Sequence, residues 1–265
     1  MKKIIAIILA LVMTVGATFT MSSCVKDENT LVCGVTIIPG LNEKDADGNW
    51  TGFETEFAQA VGKELGMTVE FKEIKWQNKY VELNSGKIDC VWNGFTADAS
   101  EEDGTKRGDL VDFSYGYMQN RQCVVVKKDK LDEYTSAESL AGKVIAVEGG
   151  SAGEIYAKSV NAADIVSVNA QIDSFLQLNT NKVDCLVVDV VLALNMCGKA
   201  DYSNLAIVEA IKLEPETYAV GFKKGSELTA KVNDAIKKLE ENGKLMEIAA
   251  KYNFEDIIKV SKLAD

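Results

Sequence analysis

The chain has 265 residues, with 29 Lys plus Arg against 40 Asp plus Glu, a formal charge of −11 and no histidine. The acidic balance argues against a nucleic-acid partner, whose phosphates must be neutralised by Lys and Arg. The missing histidine excludes Ser-His-Asp and Cys-His nucleophiles, a histidine-ligated zinc and a histidine general base.

Lys2 and Lys3 precede an apolar run over residues 4–17, then small and polar residues and Cys24. This is the layout of a secretory signal, and the run is too short to span a bilayer core of roughly 20 helical residues. Residues 1–23 are therefore expected to be removed, and residues 24–30 to tether the domain. Removal takes away two lysines and no acid, so the exported chain is more negative still. Cys33, Cys90, Cys123, Cys185 and Cys197 mostly sit in apolar runs without C-x-x-C spacing. They read as small core residues, not as a disulfide framework.

Strand-like runs then alternate with amphipathic helices, the α/β pattern. Residues 31–37 read as a strand and Asp47-Gly48 as a turn. Phe53, Phe57, Val61 and Leu65 mark one helix face stopped by Gly66, and residues 68–74 a second strand. Asp45, Asp47, Asn49 and Glu56 fit EF-hand loop positions, but Trp50 stands where the sharp turn needs Gly, so a hairpin tip is the better reading.

Leu83-Asn84-Ser85-Gly86-Lys87-Ile88-Asp89-Cys90-Val91 is echoed by Leu178-Asn179-Thr180-Asn181-Lys182-Val183-Asp184-Cys185-Leu186, with five identities in nine positions at an offset of 95. That distance is too long for a solenoid repeat and suggests two related lobes facing one cleft. Residues 122–127 read as a strand leaving the first lobe and residues 213–222, with Pro215, as the return. The helix carrying Leu228, Val232, Ala235, Ile236 and Leu239 and a last helix over 244–252 are assigned to the first lobe. The expected division is 31–118 and 213–265 for lobe one, 119–212 for lobe two.

Gly149-Gly150-Ser151-Ala152-Gly153 matches a G-x-S-x-G elbow between strand and helix. Without a histidine, the alternatives are a Ser151/Glu154 capping box or that box together with an anion seat at the helix N-terminus. Arg107 and Arg121 are the only arginines among 29 basic residues. Arg107 is a candidate fork for a carboxylate, or the surface partner of the acidic loop Glu101-Glu102-Asp103. Asp189 and Asn93 follow apolar strands, at the ends where open α/β sheets bind ligands; Asp189 could equally cap the next helix.

Taken together, Trp50-Thr51-Gly52-Phe53-Glu54, Leu83-x-x-Gly86-Lys87-Ile88-Asp89, Val111-Asp112-Phe113-Ser114, Leu140-Ala141-Gly142-Lys143-Val144 and Gly150-Ser151-Ala152 resemble the extracellular solute-binding proteins, family 3, of bacterial polar amino-acid ABC importers. Met21-Ser22-Ser23-Cys24 resembles a lipobox, with Met21 where Leu is usual, and implies a lipid on Cys24. The resemblance implies a two-lobed type II periplasmic-binding-protein fold, a clamshell with two hinge crossings. It implies an extracytoplasmic, lipid-anchored monomer that is not an enzyme, needs no cofactor or metal and passes a free amino acid to a membrane permease.

Its site residues fall on Arg107 for the ligand carboxylate, Asn93, Gly94 and Thr96 after the first-lobe strand, and Asp189 for the ammonium. Trp76 becomes the aromatic wall, and Gly150, Ser151 and Ala152 the second-lobe loop. Two departures stand out. Ile37-Ile38-Pro39-Gly40-Leu41 lacks the aromatic usual there, leaving the wall to Trp76 with Trp92, and the loop before Arg107 is long and acidic. Glu148 is expected to face the side-chain pocket and favour a polar or cationic ligand, or else to meet a backbone N–H or solvent. Other readings are a sensory or adaptor clamshell without transport and, third, an enzyme.

Overall fold

The computed structural model describes residues 29–263; the signal-like segment, most of the tether and Cys24 lie outside them. Two five-strand sheet paths build two lobes. In the first, the spatial order is Thr68–Glu73, Thr30–Val35, Cys90–Val91, Gly221–Lys223, Val111–Phe113. The first three run parallel, and Gly221–Lys223 is antiparallel to both neighbours. In the second, the order is Leu205–Ile207, Gly116–Lys127, Cys185–Asp189, Val144–Glu148, Asp164–Val168. Its last three strands are parallel, with Gly116–Lys127 antiparallel beside them.

Each lobe thus repeats one unit: a strand, a crossover helix, an outer strand, a second helix and a return strand on the other side of the first. The helices are Phe53–Leu65 and Lys79–Asn84 in the first lobe, Ala152–Ser159 and Gln171–Asn179 in the second. Such open sheets place ligands outside the carboxyl ends of their parallel strands.

The helix Phe53–Leu65 forms where the four-residue spacing places it. Phe53, Phe57 and Val61 are fully buried, each stabilising the fold by roughly 1.5–3 kcal/mol. Gly66, at φ 69°, takes the left-handed conformation that ends the helix. The buried stripe of Leu228–Glu241, formed by Val232, Ala235, Ile236 and Leu239, packs against this helix. The predicted helix over 244–252 is shorter, Lys244–Ala250. At the expected hairpin tip, Asp45 Oδ1 accepts from the backbone N–H of Asp47 and of Asn49, each at 2.9 Å.

The hinge differs most from the sequence pattern. The outgoing strand spans twelve residues, Gly116–Lys127, because the polar run Gln119-Asn120-Arg121, with Asn120 buried, breaks the apolar pattern without interrupting the strand. The return is split into Pro215–Tyr218, paired antiparallel with residues 118–121, and Gly221–Lys223, which joins the first sheet. Pro215 opens its strand, a position that tolerates a missing N–H. Of the five described cysteines, Cys197 alone is incompletely buried, and Cys90 Sγ lies 3.5 Å from Cys33 Sγ.

Candidate functional site

The parallel strands of the two lobes end on a common cleft. Its cavity, closed down to about 10 Å³, is lined by Trp76, Asn93, Gly94, Thr96 and Arg107 from the first lobe. Glu148, Ser151, Ala152, Gln171 and Asp189 line it from the second, with Gln122 from the hinge strand. Eight of the nine sequence-predicted ligand residues line it directly; Gly150 does not, its carbonyl accepting instead from Trp76, Lys79 and Arg107.

The Gly150 carbonyl is where the lobes meet. Lys79 Nζ donates to it at 3.0 Å, Trp76 Nε1 at 3.1 Å and Arg107 Nη2 at 3.4 Å. Gly149 allows this approach, since a Cβ there would lie 2.5 Å from the Gln77 side chain. Behind the carbonyl, Ser151 Oγ accepts from the Glu154 N–H at 3.1 Å and Glu154 Oε2 accepts from the Gly150 N–H at 2.7 Å. The capping reading of Ser151 therefore holds, and its hydroxyl is committed to the helix Ala152–Ser159.

Arg107 is only 1% exposed. Its Nε donates to Glu101 Oε1 at 3.0 Å and its Nη1 to the Thr96 carbonyl at 3.1 Å. The ion pair with the acidic loop exists, but it is internal to the site and not on the surface. Lys79, equally buried, stands over the rings of Trp76, Tyr80 and Phe95. Burial, with repulsion from Arg107, lowers its pKa to about 8.

The opposite wall is acidic. Asp189 occupies the N-cap position of Val190–Met196 yet does not cap it. Its carboxylate instead accepts from Asn120 Nδ2 at 2.9 Å, Gln122 Nε2 at 2.5 Å and Gln171 Nε2 at 2.5 Å. Asn120 and Gln122 also donate to Glu216 on the return strand, so one network joins the ligand wall to both hinge strands. Burial raises the Asp189 and Glu216 carboxyls, Glu216 to about 8. Glu148 is buried too and pushed well above the ordinary carboxylate range, first by burial and then by the Asp189 charge.

The model of the bacterial extracellular solute-binding proteins, family 3, matches residues 31–256. This chain belongs to that family. It is 30% identical over 238 residues to the L-cystine-binding protein TcyJ of Escherichia coli (strain K12), covering 89% of this chain and 86% of that one. To the L-cystine-binding protein TcyA of Bacillus subtilis (strain 168) it is 33% identical over 221 residues, 82% and 78% of the two chains. An ancestral arginine-binding protein bound to arginine superposes with a TM-score of 0.77 at 32% identity, over 84% of this chain and 98% of that one. The fold is the two-lobed one of solute-binding proteins.

Within this family frame, Asn93 and Gly94 are more structural than their sequence position suggests. Asn93 Oδ1 accepts from the Thr36 N–H at 2.9 Å and hydroxyl at 2.7 Å, while its Nδ2 donates to the Thr36 carbonyl at 2.9 Å. The Gly94 N–H donates to Glu54 Oε1 at 2.9 Å. Trp92 is not part of the aromatic wall. It is fully buried edge-on to Phe57, ring centroids 5.3 Å apart, because strand alternation turns it into the core. Lys79, Gln122, Gln171 and Glu216 escaped sequence reading. Lys79 left one trace, its place beside Tyr80 and one helical turn after Trp76.

Proposed function

We propose that this chain is the extracytoplasmic substrate-binding component of an amino-acid ABC importer. It captures one free amino acid between its lobes and delivers it to a membrane permease, as a monomer anchored through a lipid on Cys24. The carrying observation is that one cavity presents the Arg107 guanidinium from the first lobe and the Asp189 carboxylate from the second. This is the complement of a zwitterion. The relatives named for L-cystine and for arginine support the ligand class.

In this mechanism the ligand carboxylate first engages the first lobe through Arg107, whose Nη2 makes only a long contact with Gly150. Closure then adds Asp189 and the capped helix Ala152–Ser159, contacts made only in the shut state and therefore favouring it. Three or four charge-assisted hydrogen bonds at about 1.5–3 kcal/mol each, less ordering terms, give affinities near −8 kcal/mol, or micromolar.

Equilibrium dialysis of refolded, ligand-stripped protein against an equimolar mixture of amino acids tests this directly. Retention of one amino acid at near 1:1 stoichiometry, abolished in Asp189→Ala, supports the reading; no retention by folded protein refutes it. The anchor is tested separately, by palmitate labelling that disappears in Cys24→Ala.

A further inference from the structure

We propose that Glu148 reads the ligand's side chain, and that the ligand is an amino acid carrying a second cationic nitrogen besides its α-ammonium. The inference rests on the amino-acid reading above and adds the class of side chain.

Glu148 and Asp189 end neighbouring parallel strands of the second lobe and line the same cavity. The two carboxylates are not equivalent. Asp189 is held by the amides of Asn120, Gln122 and Gln171 on both of its oxygens. Glu148 is 1% exposed, and its Oε1 has no hydrogen-bond partner. The surroundings that favour its ionised form are the field of Lys79, the Gln171 N–H and the Thr36 hydroxyl. Lys79 points its Nζ at the Gly150 carbonyl, 3.0 Å away. No ion pair among the described residues includes either Glu148 or Asp189.

Charge counting then decides the class. A simple zwitterion gives its carboxylate to Arg107 and its ammonium to Asp189, which leaves Glu148 buried with one oxygen unsatisfied. Burial and the Asp189 charge favour its protonated form, and a cation beside Oε1 opposes both by favouring the carboxylate. An amide side chain would supply the hydrogen bond but no charge. An amine, a guanidinium or the second ammonium of a dimeric amino acid supplies both, through a charge-assisted bond to Oε1.

The test is calorimetric titration of stripped protein with matched pairs: arginine and citrulline, lysine and norleucine, cystine and the mixed disulfide of cysteine with 3-mercaptopropionate. Glycine, glutamine and glutamate complete the panel. The tightest ligand is expected to be the cationic member of a pair, at least tenfold tighter than its partner, and the pair that responds identifies the source of the nitrogen. In Glu148→Gln that ratio should fall at least tenfold, mainly through weaker binding of the cationic member. The variant's ligand-free melting temperature reports its folding, and the wild-type ratio stands without it. Equal affinities within the responding pair, or an unchanged ratio in Glu148→Gln, overturn the proposal. Best binding of a neutral or acidic amino acid overturns it while leaving the receptor reading intact. No binding of any free amino acid overturns both.

Discussion

Arg107 Nη2 lies 3.4 Å from the Gly150 carbonyl, the longest of its three hydrogen bonds and the one that crosses between lobes. The other two fix the guanidinium against Glu101 and Thr96, so the weakly engaged nitrogen faces the cavity. Arg107→Ala should weaken binding of the cognate amino acid at least tenfold. Arg107→Lys should fail to restore it, because a point charge cannot keep both inner bonds and present a fork. Titration calorimetry on the two variants checks this; unchanged affinity would move the carboxylate site elsewhere.

A second contact between the lobes, Lys158 Nζ to Glu102 Oε2 at 2.6 Å, is solvent-exposed on the Glu102 side. Exposed pairs of this kind contribute roughly 0.2–1 kcal/mol. Lys158→Ala should therefore change ligand affinity less than about fivefold and weaken with added salt, unlike changes at the Gly150 junction. Small-angle scattering with and without ligand would show whether closure survives the substitution, as expected.

Buried carboxyls set the pH dependence of stability. Burial holds Glu54 at about 7, against an ordinary 4.5, despite hydrogen bonds from Tyr117, Gly94 and Asn42. Between those values the native state binds more protons than the unfolded chain, so stability falls as pH rises. Glu216, at about 8, extends the fall. Lys79 acts oppositely: native at about 8 against 10.5, it adds stability as pH climbs above 8. Urea midpoints should therefore drop from pH 5 to a minimum near pH 8. Glu54→Gln should flatten the part below pH 7, a term of up to about 3 kcal/mol. A rising midpoint from pH 5 to 8 would contradict this.

Two glycines should respond differently. Gly52 has φ 109° and a Cβ there would lie 2.3 Å from the Leu41 carbonyl oxygen. Gly52→Ala should destabilise by about 2 kcal/mol or more. Gly86, at φ 71°, has nothing within 4 Å of its Cβ direction, and its counterpart in the second lobe is Asn181 at φ 60°. Gly86→Asn should thus cost less than about 1 kcal/mol, measured by chemical denaturation.

That counterpart shows how much of the fold the sequence carried. The nine-residue echo encodes the same corner twice. Asp89 Oδ2 accepts from the Val32 N–H, and Asp184 Oδ2 accepts from the Val144 N–H, both at 2.8 Å. Local signals of this kind, like the Phe53/Phe57/Val61 spacing, survive without tertiary context. The first half of the hinge strand did not read as strand because Asn120 is polar yet buried, satisfied by Asp189 and Glu216, 69 and 96 residues away. Lys79 was missed for the same reason: its acceptor, Gly150, is 71 residues distant. Arg107 was singled out by the rarity of arginine in a lysine-rich chain and Asp189 by its place after an apolar strand, although the seclusion of Arg107 was not visible in its acidic neighbours.

The central claim, a free amino acid held between the lobes, is tested most directly by a thermal-shift screen. Residues 25–265, unfolded and refolded to strip any ligand, would be scanned against the twenty L-amino acids and common relatives. A cognate ligand at 100 times its Kd should add about 2.7 kcal/mol and visibly raise the melting temperature. The expected result is a rise confined to a small, chemically related group, lost in Arg107→Ala. An unshifted melting temperature across the whole panel, from protein shown to be folded, would contradict the account.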